Sequence, residues 1–231
     1  MKVILREVEA INHNVKTFWF ESGEKTDYQA GQFIELSLLN NKPDDRGTKR
    51  WFTLSSSPTE KFLSITTKFS EPSSSFKSDL GRLKLNDKIN MSVPMGDFVL
   101  PKDASVPIVF VAGGIGITPI RSMIKYLSDK KEKRNIQLLY AVNDEADLVF
   151  DDLFKSYDLL YKPVLSNPGK NWNGNKGKLS SKMINSLLKG ISPGTLIYIS
   201  GPEHMVESLN KDMTEYVNKD QLVGDYFPGY E

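Results

Sequence analysis

No cysteine occurs among the 231 residues, and histidine occurs only twice. The first absence removes disulfides, thiolate metal sites, protein-bound iron-sulfur clusters and a cysteine nucleophile. The second leaves His13 and His204 far apart and outside any H-E-x-x-H spacing, so no metal is expected. Any redox chemistry must therefore come from a bound organic cofactor. An excess of charge of one sign is also missing: 30 Lys and Arg against 29 Asp and Glu leave a formal net charge of +1. Nothing in that balance points to nucleic acid or an anionic membrane, which leaves a small molecule or another protein as partner. No apolar run approaches the length of a membrane-crossing helix, and "MKVILREVEAINHN" turns charged after a few apolar residues. A cytoplasmic protein without a transmembrane segment is expected. No G-K-[ST] and no G-x-S-x-G is present, so Walker-type nucleotide hydrolysis and serine-hydrolase chemistry lose their support.

What is present falls into two rhythms. Over the first hundred residues, short β-rich runs such as "KTFWFES", "RWFTLSSS" and "FLSITTKF" are separated by Gly, Pro, Asn and Asp, the pattern of a small antiparallel barrel. From about residue 106, strand-like runs ("PIVFVA", "IQLLYAV", "LYKPVLS", "TLIYIS") alternate with helical ones, the pattern of a parallel, doubly wound sheet. The connector "PKDASVP" carries proline at each end and a polar middle, so two domains are expected, 1–102 and 103–231.

Three stretches stand out chemically. "VFVAGGIGITPI" breaks an apolar run into glycines, a threonine and a proline, the form of a strand, a tight turn and a helix start. Bare amides at such a helix start suit a phosphate, and proline at the first turn costs nothing because its missing N–H has no partner there anyway. The same turn also serves plain close packing. In "RWFTLSSSP", Arg50 suits a phosphate and Phe52 a flat ring, while the same strand also reads as core aromatics with a surface arginine. "EPSSSFKSDL" sets Ser73, Ser74 and Ser75 before an amphipathic helix, either as an anion cradle or as an ordinary N-cap.

Taken in order, "RWFTLSSSP", "SSSFKSDL", "PMGDFVLP", "GGIGITP", "YISGPEHM" and "DYFPGY" resemble the ferredoxin-NADP reductase superfamily in its form without a fused iron-sulfur domain. The resemblance spans nearly the whole chain. It implies a six-stranded antiparallel FAD-binding barrel followed by a five-stranded parallel nucleotide-binding domain, with the flavin between them. On this resemblance Arg50 holds the flavin pyrophosphate, Phe52 and Thr53 lie at the isoalloxazine, and Ser74 and Ser75 bind phosphate. Trp51, Leu54, Ser55 and Thr66 complete the barrel's cofactor-binding set. Hydroxyls with a helix start, rather than a second arginine, favour FAD over FMN.

On the second domain the resemblance assigns the pyridine nucleotide to Gly114, Gly116, Thr118 and Pro119, and to Gly201 and Pro202. Thr118 would sit nearest the nicotinamide. Ser200 stands where the family commonly has cysteine, and Phe227, with Tyr226 next, is the expected tail aromatic over the flavin. Thr53, Thr118, Ser200 and Phe227 form the implied catalytic set. Asp225 and Glu203 are candidates for proton handling, weighed against caps or solvated carboxylates. Asn143 and Asn167 stand where NADPH users often carry arginine, and Asp144 and Glu145 would repel a 2′-phosphate. NADH is therefore expected over NADPH, with Lys170 the one opposing feature. The implied activity is an NAD(P)H-dependent flavoprotein reductase passing electrons to a separate acceptor such as ferredoxin, flavodoxin, a haem protein or an oxygenase component. An electron-transfer subunit of a larger complex and a free flavin or quinone reductase are the alternatives.

Overall fold

Period-two alternation shapes the N-terminal part. In the computed structural model, which describes residues 1–38, 44–45, 47–188 and 191–226, it folds as β1 (Lys2–Ala10), β2 (Val15–Ser22), β3 (Phe33–Ser37), β4 (Lys49–Thr53), β5 (Leu63–Lys68), α1 (Ser75–Arg82) and β6 (Lys88–Met91). Every neighbouring pair in the order β4-β3-β6-β1-β2-β5 is antiparallel. The two edges approach at a single bridge between Leu54 and Ile65, so the sheet curls nearly into a closed barrel. Alternate residues point inward: Val3 and Leu5, Phe18 and Phe20, Ile34 and Leu36 are buried in one core. Helix α1 lays Phe76 and Leu80, both fully buried, into that core, with the Phe76 ring 5.9 Å from that of Phe52.

After residue 107 the period changes. β7 (Ile108–Gly113), α2 (Thr118–Lys130), β8 (Ile136–Val142), α3 (Asp151–Ser156), β9 (Leu160–Leu165), β10 (Asn175–Lys176), α4 (Ser181–Leu187), β11 (Leu196–Ser200), α5 (Glu203–Asp212) and β12 (Leu222–Asp225) follow. The strands form a parallel sheet in the order β10-β9-β8-β7-β11-β12. The sixth strand, beyond the five expected, is the two-residue β10, a pairing too short to carry a strand signal in the sequence. β7 is buried along its whole length, as a central parallel strand covered by helices on both faces must be. Phe110 and Ala112 pack with α2 on one face, and Val109 and Val111 with α4 and α5 on the other. Among the described residues no helix is long and apolar enough to cross a membrane.

The two parts share apolar surface. Val15, Ala30 and Phe98 belong to the cluster that contains Met123 of α2 and Tyr198 of β11. The Phe98 and Tyr198 rings meet edge-on at 5.1 Å, and the Tyr198 hydroxyl donates to the Val99 carbonyl at 2.8 Å. Phe76 is the largest side chain that α1 contributes to the barrel core. Phe76→Ala should cost about 3–5 kcal/mol, measured as a lowered urea midpoint; a loss below about 1 kcal/mol would mean that α1 does not seal the core.

Candidate active site

The C-terminal edge of the parallel sheet faces the barrel across a cavity of about 370 Å³. Open α/β sheets place ligand sites at this edge because strand ends and helix starts converge there. β7 ends at Gly113, the chain tightens through one turn at Gly114–Ile117, and α2 begins at Thr118 with Pro119 in its first turn. Gly114 has φ +52°, and a Cβ built on it meets nothing within 4 Å, which leaves open space beside its backbone. Gly116 has the opposite reason to be glycine: a Cβ there would lie 2.4 Å from the Ser200 carbonyl oxygen. Thr118, almost fully buried, donates its hydroxyl to the Ile115 carbonyl at 3.1 Å and so tightens the turn.

From the barrel, Phe52 and Thr53 at the end of β4 and Thr66, Thr67 and Lys68 at the end of β5 line the same cavity. Thr66 donates to Ser55 at 2.8 Å, Ser55 shares a hydrogen bond with Ser64 at 2.9 Å, and Thr66 shares another with Thr17 at 2.8 Å. These four buried hydroxyls satisfy one another across β2, β5 and the segment after β4. Thr67 is different. Its hydroxyl is buried and has no hydrogen-bond partner, a costly condition unless a ligand supplies one. Two cations stand beside it: Lys68 pairs across the domain gap with Asp147 at 3.3 Å, and Lys77 donates to the Lys68 carbonyl at 2.7 Å.

Of the residues singled out from the sequence, Phe52, Thr53, Thr66, Gly114, Gly116, Thr118, Ser200, Gly201 and Pro202 line this cavity together. Arg50 packs against α1, its guanidinium 5.2 Å from the Phe76 ring centroid and 2.5 Å from an Asp44 carboxylate oxygen. Ser74 is the N-cap of α1 and accepts from the Lys77 amide, while Ser75 accepts from the Asp44 amide at 3.0 Å. Leu54 and Ser55 point into the barrel wall, and Trp51, 46% exposed, lies on its outer surface. Phe227 lies outside the described residues, whereas Tyr226 borders the cavity. Thr67, Lys68 and Lys77 escaped the sequence reading. A period-two count forward from the bonded Thr66 would place Lys68, but only the fold shows that the end of β5 meets β7.

Ser200 and Asp225 are direct partners in the parallel register of β11 and β12, and both line the cavity. Burial, reinforced by the nearby Asp97 carboxylate, pushes the Asp225 carboxyl up to about 6, and a hydrogen bond from Ser200 partly offsets the rise. A second cavity of about 420 Å³ shares Gly113 and Gly114 with the first and continues past Ser166, Lys178 and His204. Beside it the loops after β8 and β9 are laced together: Asn167 donates its amide to the Asn143 carbonyl at 2.7 Å, and Gly169 donates to Glu145 at 3.1 Å. Asp144 accepts from the Ala146 amide, a local cap. Glu203 starts α5, where a carboxylate complements the helix dipole. The lysine-rich run "SDKKEKRN" closes α2 about 20 Å of helix away from Thr118, with Arg134 tied to the Pro101 carbonyl.

Residues 110–211 match the model of the oxidoreductase NAD-binding domain family. The whole chain superposes on the ferredoxin NADP+ reductase from Neisseria gonorrhoeae, solved with bound FAD and NADP, with a TM-score of 0.82 at 18% identity, covering 97% of each chain. The chain shares the fold of that reductase, and its C-terminal part matches the NAD-binding family. Curated proteins of similar sequence include flavohemoprotein A of Dictyostelium discoideum, 27% identical over 227 residues that cover 92% of this chain. NADH-cytochrome b5 reductase 2 of Aspergillus terreus is 24% identical over 230 residues that cover 95% of this chain. The chain spans 56% of the flavohemoprotein and 72% of the reductase.

This cavity makes one carboxyl a reporter. Because folding raises the Asp225 value from 3.8 to about 6, the folded state holds that proton more tightly than the unfolded state. Its contribution is fully favourable below the unfolded value and is lost as pH rises through the folded one. Asp225→Asn removes the loss, so the variant should gain stability on its parent between pH 4 and pH 7, by on the order of 2 kcal/mol, with no further gain above. Thermal denaturation across that range checks it; parallel pH profiles for the two proteins would remove the shifted carboxyl.

Proposed function

We propose that this chain is an NAD(P)H-dependent flavoprotein reductase that binds FAD, takes electrons from NADH and passes them to a separate acceptor protein. The observation that carries the reading is one cavity walled by Phe52 and Thr53 on the barrel side and by Gly114, Gly116 and Thr118 on the other, opening into a second cavity along the same strand edge. Two ligands, one per domain, can meet there. The residues present suit FAD: an aromatic wall at Phe52, an unpartnered buried hydroxyl at Thr67, and the cations Arg50, Lys68 and Lys77 for its phosphates. Bound FAD supplies an acceptor for the two electrons of a nicotinamide hydride and a donor of single electrons afterwards.

The chain's own contribution is placement and exclusion of water. Gly114 leaves its backbone open to a nucleotide, and the start of α2 favours its negative charge. Thr53 and Thr118 line one cavity from opposite domains, which brings the two ligands' reactive ends together. Ser200 donates to Asp225, whose carboxyl exchanges a proton close to neutral pH beside that meeting point. NADH is favoured because among the described residues no arginine lines the second cavity and because Asp144 and Glu145 stand in the adjoining loop. Lys178 and His204, which do line it, are the groups that a 2′-phosphate would have to use. Lys170 is exposed and does not line it. The chain has no cysteine for a cluster of its own, and the similarity to flavohemoprotein and NADH-cytochrome b5 reductase favours a haem protein as the acceptor.

An anaerobic visible spectrum of the purified protein tests the reading. The expected result is a bound-flavin spectrum bleached by stoichiometric NADH faster than by NADPH. Faster bleaching by NADPH reverses the nucleotide choice, and failure to bind FAD on reconstitution removes the reductase assignment.

A further inference from the structure

Helix α2 presents Thr118 to the cavity and, one turn later on the same side, Arg121 to the barrel. Arg121 lies in the seam between the domains, its side chain only 12% exposed. One terminal nitrogen donates to the Ser55 carbonyl at 3.0 Å and to Glu60, and the other donates to the second Glu60 oxygen at 3.0 Å. The guanidinium lies 5.7 Å from the Trp19 ring of the barrel and 5.6 Å from the Phe150 ring of the nucleotide domain. Phe150 holds φ +61°, a left-handed conformation rare for an aromatic residue, at the end of the loop that follows β8. The neighbouring Ser122 donates to the Ser56 carbonyl at 2.5 Å.

The placement of these contacts is what matters. Ser55 follows Thr53 by two residues, about 7 Å along an extended chain, and Arg121 follows Thr118 by about 5 Å along the helix axis. One side chain therefore joins a point just beyond Thr53 to a point just beyond Thr118. Its planar fork takes a carboxylate and a carbonyl together, which a lysine ammonium on a flexible stem does not reproduce. Building on the reductase reading, we infer that Arg121, with Glu60 as its counterpart, is a positioning residue: it sets the separation of Thr53 and Thr118, and so the register in which flavin and nicotinamide meet. It touches neither ligand in this arrangement and acts through the two domains that it joins.

Two readouts on the full FAD-loaded chain test this. Because the chain has no cysteine, Glu7→Cys on the barrel and Lys182→Cys on α4 accept spin labels at those positions alone, and pulsed dipolar spectroscopy reads the distance between the domains. Anaerobic stopped-flow bleaching by NADH reads the rate at saturation and the concentration at half-saturation. In Arg121→Ala and Glu60→Gln the distance distribution should shift or broaden, and the saturating rate should fall between about tenfold and a hundredfold. Half-saturation should move by less than about threefold, the signature of lost alignment rather than lost binding. Arg121→Lys should recover part of the rate. An unchanged saturating rate in Arg121→Ala overturns the inference, whatever the distances do. So does a rate loss accompanied by unchanged distances. Should Arg121→Ala fail to fold, Glu60→Gln and Arg121→Lys carry the same two readouts. A parent protein that neither NADH nor NADPH bleaches overturns the reductase reading alone, and the distances still decide whether Arg121 fixes the domains.

Discussion

The Ser56 carbonyl is where the two domains are fastened. It accepts from Tyr28 at 3.0 Å on the barrel side and from Ser122 at 2.5 Å on the α2 side, and Ser56 is fully buried. Buried backbone carbonyls must find partners, and the segment after β4 has left its ladder, so α2 supplies them. The apolar contacts around Phe98, Met123 and Tyr198 hold the domains together, yet apolar attraction has little preference for direction. The polar contacts have a strong one. They decide where along the barrel α2 sits, and the cavity is the space left by that decision.

Satisfaction of polar groups divides structure from site on the barrel wall. Thr17, Thr66, Ser55 and Ser64 consume one another's hydrogen bonds and fasten β2 to β5. One position further along β5, Thr67 has no partner. A buried hydroxyl without a partner costs of the order of 1–3 kcal/mol, which stands as a penalty on the unliganded protein and is relieved when a ligand's polar group arrives. Thr67 thus keeps a hydroxyl whose bonding capacity is unused, whereas Ser55, equally a hydroxyl and in the more conspicuous motif, commits its own to Thr66 and Ser64.

Legibility in the sequence follows the range of the interactions. Strands of the barrel and the strand-turn-helix at Gly114 were readable because period-two burial, glycine freedom and proline tolerance are local properties. α3 was readable only in part: "DLVFDDLFKSY" has helical periodicity over eleven residues, but Phe150 adopts a left-handed conformation and only Asp151–Ser156 coil. The Arg50 motif is legible as a motif, while its guanidinium's place over the Phe76 ring depends on α1 folding onto the barrel. Arg121 and Glu60 lie 61 residues apart, and Lys68 meets Asp147 over a separation of 79. No spacing rule connects such pairs, because the order in which strands assemble, rather than the chain between them, brings them together.

Ser200 shows how the identity of one side chain in a turn can be chemically consequential without altering the backbone. Parallel pairing of β11 with β12 makes Asp225 its neighbour whatever stands at either position. A serine hydroxyl donates a strong hydrogen bond to a carboxylate, whereas a thiol is a weak donor. The hydroxyl therefore holds down a carboxyl that burial and Asp97 push up. With a cysteine at position 200 the same aspartate would keep its proton to still higher pH. Serine and aspartate act here as a matched pair: burial pushes the carboxyl up to about 6, and the hydroxyl limits the rise.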